Sequence, residues 1–229
     1  DALQGLVPVE TAEEASRIPG VNLGQQAVAM VMQQLDLGVE IDTASMARNP
    51  ASYGVNNKVT LAGADKWTDA ASDPKADVDA AKEAVRRQIG RYPNRMVMGP
   101  TAFLAATNHP KIKEQFKYTS ADSITETMLA RYFGVDEVVQ GKGVYLPDGA
   151  AEADPAVDIW GADVVLAYVP TAGNWMVPSY GYTYNLMGYP AVETPWYDRD
   201  IRSWKYPTTV ERRPYLVGAD AGFLISNAA

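Results

Sequence analysis

Between Asn22 and Ala47, apolar residues recur at helical spacing. Leu23, Ala27, Val31 and Leu35 fall on one face, and Val28, Met32 and Val39 widen it. No proline interrupts the stretch, and Asn22 followed three residues later by Gln25 has the form of a capping box. The pattern predicts a helix roughly 35 to 40 Å long. Gly24 and Gly38 lower its intrinsic propensity, so packing must hold it. Residues 1–21 end in the turn signal Pro19-Gly20 and read as a connection into this helix. After Asn49-Pro50, the stretch SYGVNNKVTLAGADKW alternates weakly, and Asn56-Asn57 suggests a turn between two short strands.

The pattern then changes to short helices and strands in alternation. Asp73 stands before Pro74 in the order of N-cap and first helical residue, with Asp77 in the first turn. Val78, Ala81, Val85 and Ile89 form the apolar stripe, and Gly90 stops the helix. RMVMG reads as a buried strand, and PTAFLAATN and PKIKEQF as two helices broken at His109-Pro110. Ser123 and Glu126 form a second capping box ahead of a helix that Gly134 terminates. VDEVVQ and VVLAYV are strands, separated by a long Gly/Ala/Asp/Pro loop. Residues 68–170 thus read as a compact α/β unit, which the apolar strand DAGFLISNA rejoins.

From Asn174 to Val217 the residues turn aromatic, with Trp175, Tyr180, Tyr182, Tyr184, Tyr189, Trp196, Tyr197, Trp204, Tyr206 and Tyr215 in alternating segments. These predict long strands with one aromatic and one polar face. Such a face suits a core or a subunit interface, or stacking on sugar rings as in a carbohydrate-binding module.

Composition narrows the chemistry. With 47% hydrophobic and 21% charged residues in 229, the chain has an ordinary globular balance, and its net charge of -8 argues against a basic nucleic-acid-wrapping face. There is no cysteine, hence no disulfide or thiolate chemistry. No apolar run approaches a membrane span, and no signal peptide is recognisable. Asp69, Asp73, Asp77 and Asp79 are close enough to suggest a metal site, but a calcium loop counted from Asp73 meets Lys75, Val78 and Ala84 where an acid, a glycine and a glutamate are needed. Helix capping explains them better, so neither metal nor cofactor is expected. The single histidine, His109, sits in a helix break, where it reads as a surface or capping residue. Neither a Gly-x-Ser-x-Gly elbow nor a phosphate cradle is present, and no catalytic residue is assigned.

The order of WTDAASDPKADVDAAKEAV, GRYPNRMVMGPTAFLAATNHPKIKEQFKY, LARYFGVDEVVQGKGVY, DIWGADVVLAYVP and PSYGYTYNL resembles the major capsid proteins of tailed bacteriophages, with the Hong-Kong-phage-type shell fold. The resemblance runs from about Asn22 to the end. It implies an α+β fold in which residues 22–67 and 171–217 form a peripheral domain of spine helix and long strands. Residues 68–170 and 218–229 would form an α/β axial domain, with the loop 143–158 at its tip. It further implies hexamers and pentamers of this chain closing into an icosahedral shell in the virion, assembled in the host cytoplasm. Double-stranded DNA would be packed inside without specific binding. Scaffolding, portal and decoration proteins are the other expected partners, with no membrane. Relatives carry an N-terminal arm and an extended hairpin before the spine helix, so this chain is expected to be a processed or partial version. Candidate interface residues are Arg199, Arg202, Lys205, Arg212, Arg213, Trp196 and Trp204, and the expected helix caps are Asp73, Asn22 and Ser123. The alternatives are an encapsulin-type compartment with the same fold and, in a different class, a monomeric carbohydrate-binding module.

Overall fold

A computed structural model describes residues 1–117, 123–151, 153–171 and 176–229. Trp175, placed among the aromatic strands above, lies outside them. The chain opens with β1 (Ala2–Pro8), α1 (Val9–Ala15), α2 (Leu23–Ala47), β2 (Lys58–Thr60), α3 (Pro74–Ile89) and β3 (Arg95–Met98). It continues through α4 (Pro100–Asn108), α5 (Pro110–Phe116), α6 (Glu126–Phe133), β4 (Glu137–Gln140), β5 (Val144–Tyr145), β6 (Val157–Asp158) and β7 (Val164–Ala167). The last strands are β8 (Gly181–Asn185), β9 (Ala191–Val192), β10 (Trp196–Asp198), β11 (Ser203–Thr209), β12 (Arg212–Leu216) and β13 (Gly222–Ser226). Two compact units result, Asp1–Asp42 with Thr183–Pro214 and Thr43–Tyr182 with Tyr215–Ala229. The chain passes between them within α2, β8 and β12, so the boundaries fall inside elements instead of at the loops that a sequence reading favours.

In the first unit β11 is the centre of an antiparallel sheet, with β1 on one side and β10 and β9 on the other. Residues 1–21 are therefore more than a connection. All seven residues of β1 pair with β11, Ala2 with Thr209 through Pro8 with Ser203. Helix α2, 25 residues long, lies on this sheet, burying Ala27, Val31 and Leu35 at the expected spacing, and Val31 and Leu35 meet Val210 in a small core. The approach is close at two glycines. A Cβ at Gly24 would stand 2.6 Å from the Tyr206 ring, and one at Gly5 would stand 2.9 Å from the Ala27 Cβ.

The second unit holds a five-stranded mixed sheet in the order β2-β13-β7-β3-β4. The outer pairs are parallel and the inner pairs antiparallel. Every residue of β7 is buried. Its core joins Met96, Leu166 and Ile225 from the strands to Val78 and Val85 of α3, Ile112 of α5, and Leu129 and Phe133 of α6. Trp67 completes it, stacked on Phe133 with centroids 6.3 Å apart.

Three local expectations change. In place of a hairpin at Asn56-Asn57 there is the single short strand β2, parallel to β13. The buried Asn57 is an anchor there, donating to the Gly222 carbonyl at 2.8 Å and the Asp220 carbonyl at 3.2 Å and accepting from Gln88. The long loop after β4 contains a two-stranded ribbon, β5 with β6. The aromatic strands are also shorter than their composition suggests, β10 having three residues and β8 and β12 five each.

Candidate functional site

The aspartate cluster resolves into local backbone and side-chain partners. Asp69 accepts from the Ala71 amide at 2.8 Å, and Asp73 caps α3 by accepting from the Ala76 amide at 3.1 Å, with Lys111 at 3.3 Å. Asp77 accepts from the Trp67 indole at 2.9 Å, and Asp79 pairs with Lys75 one turn away. Among the described residues no group of three or more His, Cys, Asp or Glu is arranged to hold a metal ion.

The two central carboxyls respond to acid in opposite directions. The Ala76 amide, and then Lys111, hold the Asp73 carboxyl below its ordinary range. Its contribution to stability is present above the unfolded-state value and is lost as pH falls through the folded one. Burial pushes Asp77 up, against the Trp67 hydrogen bond that opposes it, so its contribution is present at low pH and lost as pH rises. Asp73→Ala is therefore expected to cost about 1 kcal/mol near neutral pH, and visibly less at about pH 2, in thermal melts.

His109 is buried and caps α5, its Nδ1 accepting from the Lys111 amide at 3.3 Å. That bond leaves the proton on Nε2, which faces the Asp69 carbonyl at 3.1 Å and the Ser72 hydroxyl at 3.2 Å. The ring thus ties the start of α5 to the Asp69–Ser72 turn.

The other caps divide. Asn22 accepts from the Gln25 amide at 3.1 Å. Ser123 does not cap α6; Thr125 does, accepting from the Met128 amide at 3.4 Å. The reason is that Glu126, needed to complete the Ser123 box, is drawn to the edge of the sheet, where it accepts from the Gln140 amide at 3.3 Å and faces Lys142 at 3.7 Å.

The candidate interface residues all lie in the first unit, but not in one patch. Trp196 is paired across the sheet with Lys205, and Tyr197 with Trp204. Side chains alternate along a strand, so Trp196 and Trp204 project from opposite faces. Trp204 packs on Tyr197 with centroids 5.7 Å apart, while Lys205, on the Trp196 face, pairs with Asp198 at 2.6 Å. Arg202 pairs with Glu10 at 3.0 Å, and Arg212 with Asp36. Arg199 and Arg213 are exposed, without an ion-pair partner among the described residues.

The arrangement offers capped helices, internally paired charges and exposed aromatic side chains on a sheet, a set suited to contact and not to bond chemistry. The family model of phage major capsid protein E matches residues 29–226. The chain belongs to that family. A major capsid protein of Burkholderia phage BcepMu is 39% identical over 209 residues, covering 89% of this chain and 66% of the relative, just under two thirds of its length. The crystal structure of a phage-related protein from Bordetella bronchiseptica RB50 is 40% identical, with a TM-score of 0.90 over 100% of this chain and 75% of that one. The mature capsid of bacteriophage PhiM1, at 14% identity and a TM-score of 0.55 over 99% of this chain and 70% of its own, is a likeness of fold alone. The family is one of structural proteins, not of enzymes, and the α+β architecture is a capsid fold.

Proposed function

We propose that this chain is the shell-forming part of a capsid subunit, copies of which associate into hexamers and pentamers and close into an icosahedral virion shell around double-stranded DNA. The observation that carries this reading is the 39% identity, over 89% of the chain, to a phage major capsid protein. In a Hong-Kong-phage-type arrangement the second unit is the axial domain, with the 143–158 loop toward the symmetry axes. The first unit, with most of the long helix, is the peripheral domain. Heterologous contacts around each axis generate rings, and the net charge of -8 suits a wall to which packed DNA does not adhere. Scaffolding, portal and decoration proteins are further partners, with assembly in the host cytoplasm. An encapsulin-type shell is the weaker reading, because the matching family and the curated relative are both named for phage capsids.

The charges sharpen the test. Arg202, Lys205 and Arg212 already have acidic partners within the chain, so reversing them perturbs the subunit itself. Arg199 and Arg213 are the cleaner probes of contact between copies. In a light-scattering assembly assay across a salt series, Arg199→Glu with Arg213→Glu is expected to raise the subunit concentration needed for particles about tenfold and to flatten the salt dependence. Unchanged assembly would remove both residues from the interface, and an unsubstituted protein that forms no particles would reject the capsid reading itself.

A further inference from the structure

His109 is the chain's single histidine, and its partners in the corner between α4 and α5 suit one protonation state of the ring. On one edge the Lys111 amide donates to Nδ1 at 3.3 Å, which requires a lone pair there. On the other edge Nε2 stands 3.1 Å from the Asp69 carbonyl, an acceptor only, which requires a hydrogen there. The Ser72 hydroxyl donates to that same carbonyl at 2.8 Å and so turns a lone pair toward Nε2 at 3.2 Å. Only the neutral ring with its proton on Nε2 satisfies all of these groups.

A second proton would go to Nδ1 and set an N–H against the Lys111 N–H. The side-chain cap of α5 would be lost, and a charge would stand on a residue that is only 1% exposed. Water can deliver that proton without unfolding, because His109 borders a cavity of about 370 Å³ with Trp67, Leu104 and Pro110 in its wall.

The charges packed around the ring are already engaged elsewhere. The Asp69 carboxylate accepts from the Ala71 amide at 2.8 Å, and that of Asp73 from the Ala76 amide at 3.1 Å. The Lys111 ammonium donates to the Ser72 carbonyl at 2.6 Å and the Ala71 carbonyl at 3.2 Å, a cation on the ring's own side that opposes a second one. Helix α4 brings no titratable side chain. Ala229, in the same cavity wall, has its oxygen held by Lys66 at 2.8 Å. Among the described residues no carboxylate bonds to the ring.

We propose that His109 is an acid-operated latch. Neutral, it fastens the start of α5 to the Asp69–Ser72 turn; protonated, it releases it. Histidine is the side chain that ordinarily changes charge between about pH 5 and 8, so the latch works apart from the neighbouring carboxyls. Asp73 titrates below that window, and Asp77, pushed upward, acts in the opposite sense because its contribution is present in acid.

With one imidazole in the chain, nitrogen-15 NMR of the ring reads the latch directly. At about pH 8 the proton is expected on Nε2. Between about pH 8 and 5 the ring should protonate, hydrogen exchange at the Lys111 amide should rise about fivefold beyond the intrinsic effect of pH, and the melting temperature should fall by about 2–4 °C. His109→Asn keeps an acceptor for the Lys111 amide but has no proton to gain, so its melting temperature should stay flat across the same range. A proton on Nδ1 at the upper pH, a ring that stays neutral at the lower one, or protonation without release of the Lys111 amide would each overturn the proposal. So would an equal fall in the melting temperature of His109→Asn. If that variant does not fold, the NMR of the unsubstituted protein decides alone.

Discussion

Trp67→Ala is expected to destabilise the second unit by about 3–5 kcal/mol in urea unfolding, the range for removing a large aromatic side chain from a packed core. Trp67 is only 1% exposed and stacks on Phe133, itself fully buried. Its indole donates to Asp77 at 2.9 Å, and its backbone amide donates to the Ala228 carbonyl at 2.8 Å. The side chain thus joins the start of α3 to α6, while its backbone holds the end of the chain. Trp67→Phe separates the two contributions. It keeps most of the apolar volume but leaves Asp77 without its donor, and is expected to cost about 1–3 kcal/mol. Losing that donor also removes what opposes the upward push on the Asp77 carboxyl, so part of the cost should disappear as acid protonates it. A loss below about 1 kcal/mol for Trp67→Ala would mean that this core does not depend on the tryptophan.

The second large effect separates two glycines of one helix. Alanine is favoured over glycine in a helix by about 1 kcal/mol, so both Gly24→Ala and Gly38→Ala should stabilise α2 if propensity alone mattered. Gly38 has nothing within 4 Å of the added carbon, and the substitution there should raise stability. Gly24 faces the Tyr206 ring, with the nearest atoms 2.6 Å from a Cβ. There the substitution should destabilise, and Gly24→Leu should cost about 1–3 kcal/mol or more as helix and sheet are forced apart. Tyr206→Ala should relieve the leucine variant, with a coupling of about 0.5–3 kcal/mol in a double-mutant cycle. Equal, stabilising effects at both glycines would contradict the close packing of α2 on β11.

What the sequence reveals follows how local each decision is. Asp73-Pro74 and Gly90 delimit α3 because cap and stop are settled within a few residues, the glycine taking φ 72° at the C-cap. The break at His109-Pro110 is local for the same reason. β1 was hidden because ALQGLVP, with a glycine and a proline in seven residues, has little strand character alone. Its partner is about two hundred residues away, Ala2 lying opposite Thr209. The Ser123 box failed when Glu126 found a tertiary partner, which no local pattern encodes. Side-chain directions and partners were the least legible. Trp196 and Trp204 look like one aromatic surface in sequence, but cross-strand register puts them on opposite faces. Arg202, Lys205 and Arg212 look like rim charges until their partners Glu10, Asp198 and Asp36 are in place.

The capsid reading joins these elements into one account, in which a packed subunit acts by repeated contact with copies of itself. Negative-stain microscopy of the purified protein with the N-terminal arm and hairpin of its relatives restored, paired with sedimentation velocity, tests it most directly. The account predicts fast-sedimenting closed shells of uniform diameter built from rings of subunits. A persistent small monomer under every assembly condition, with neither rings nor shells, would contradict it.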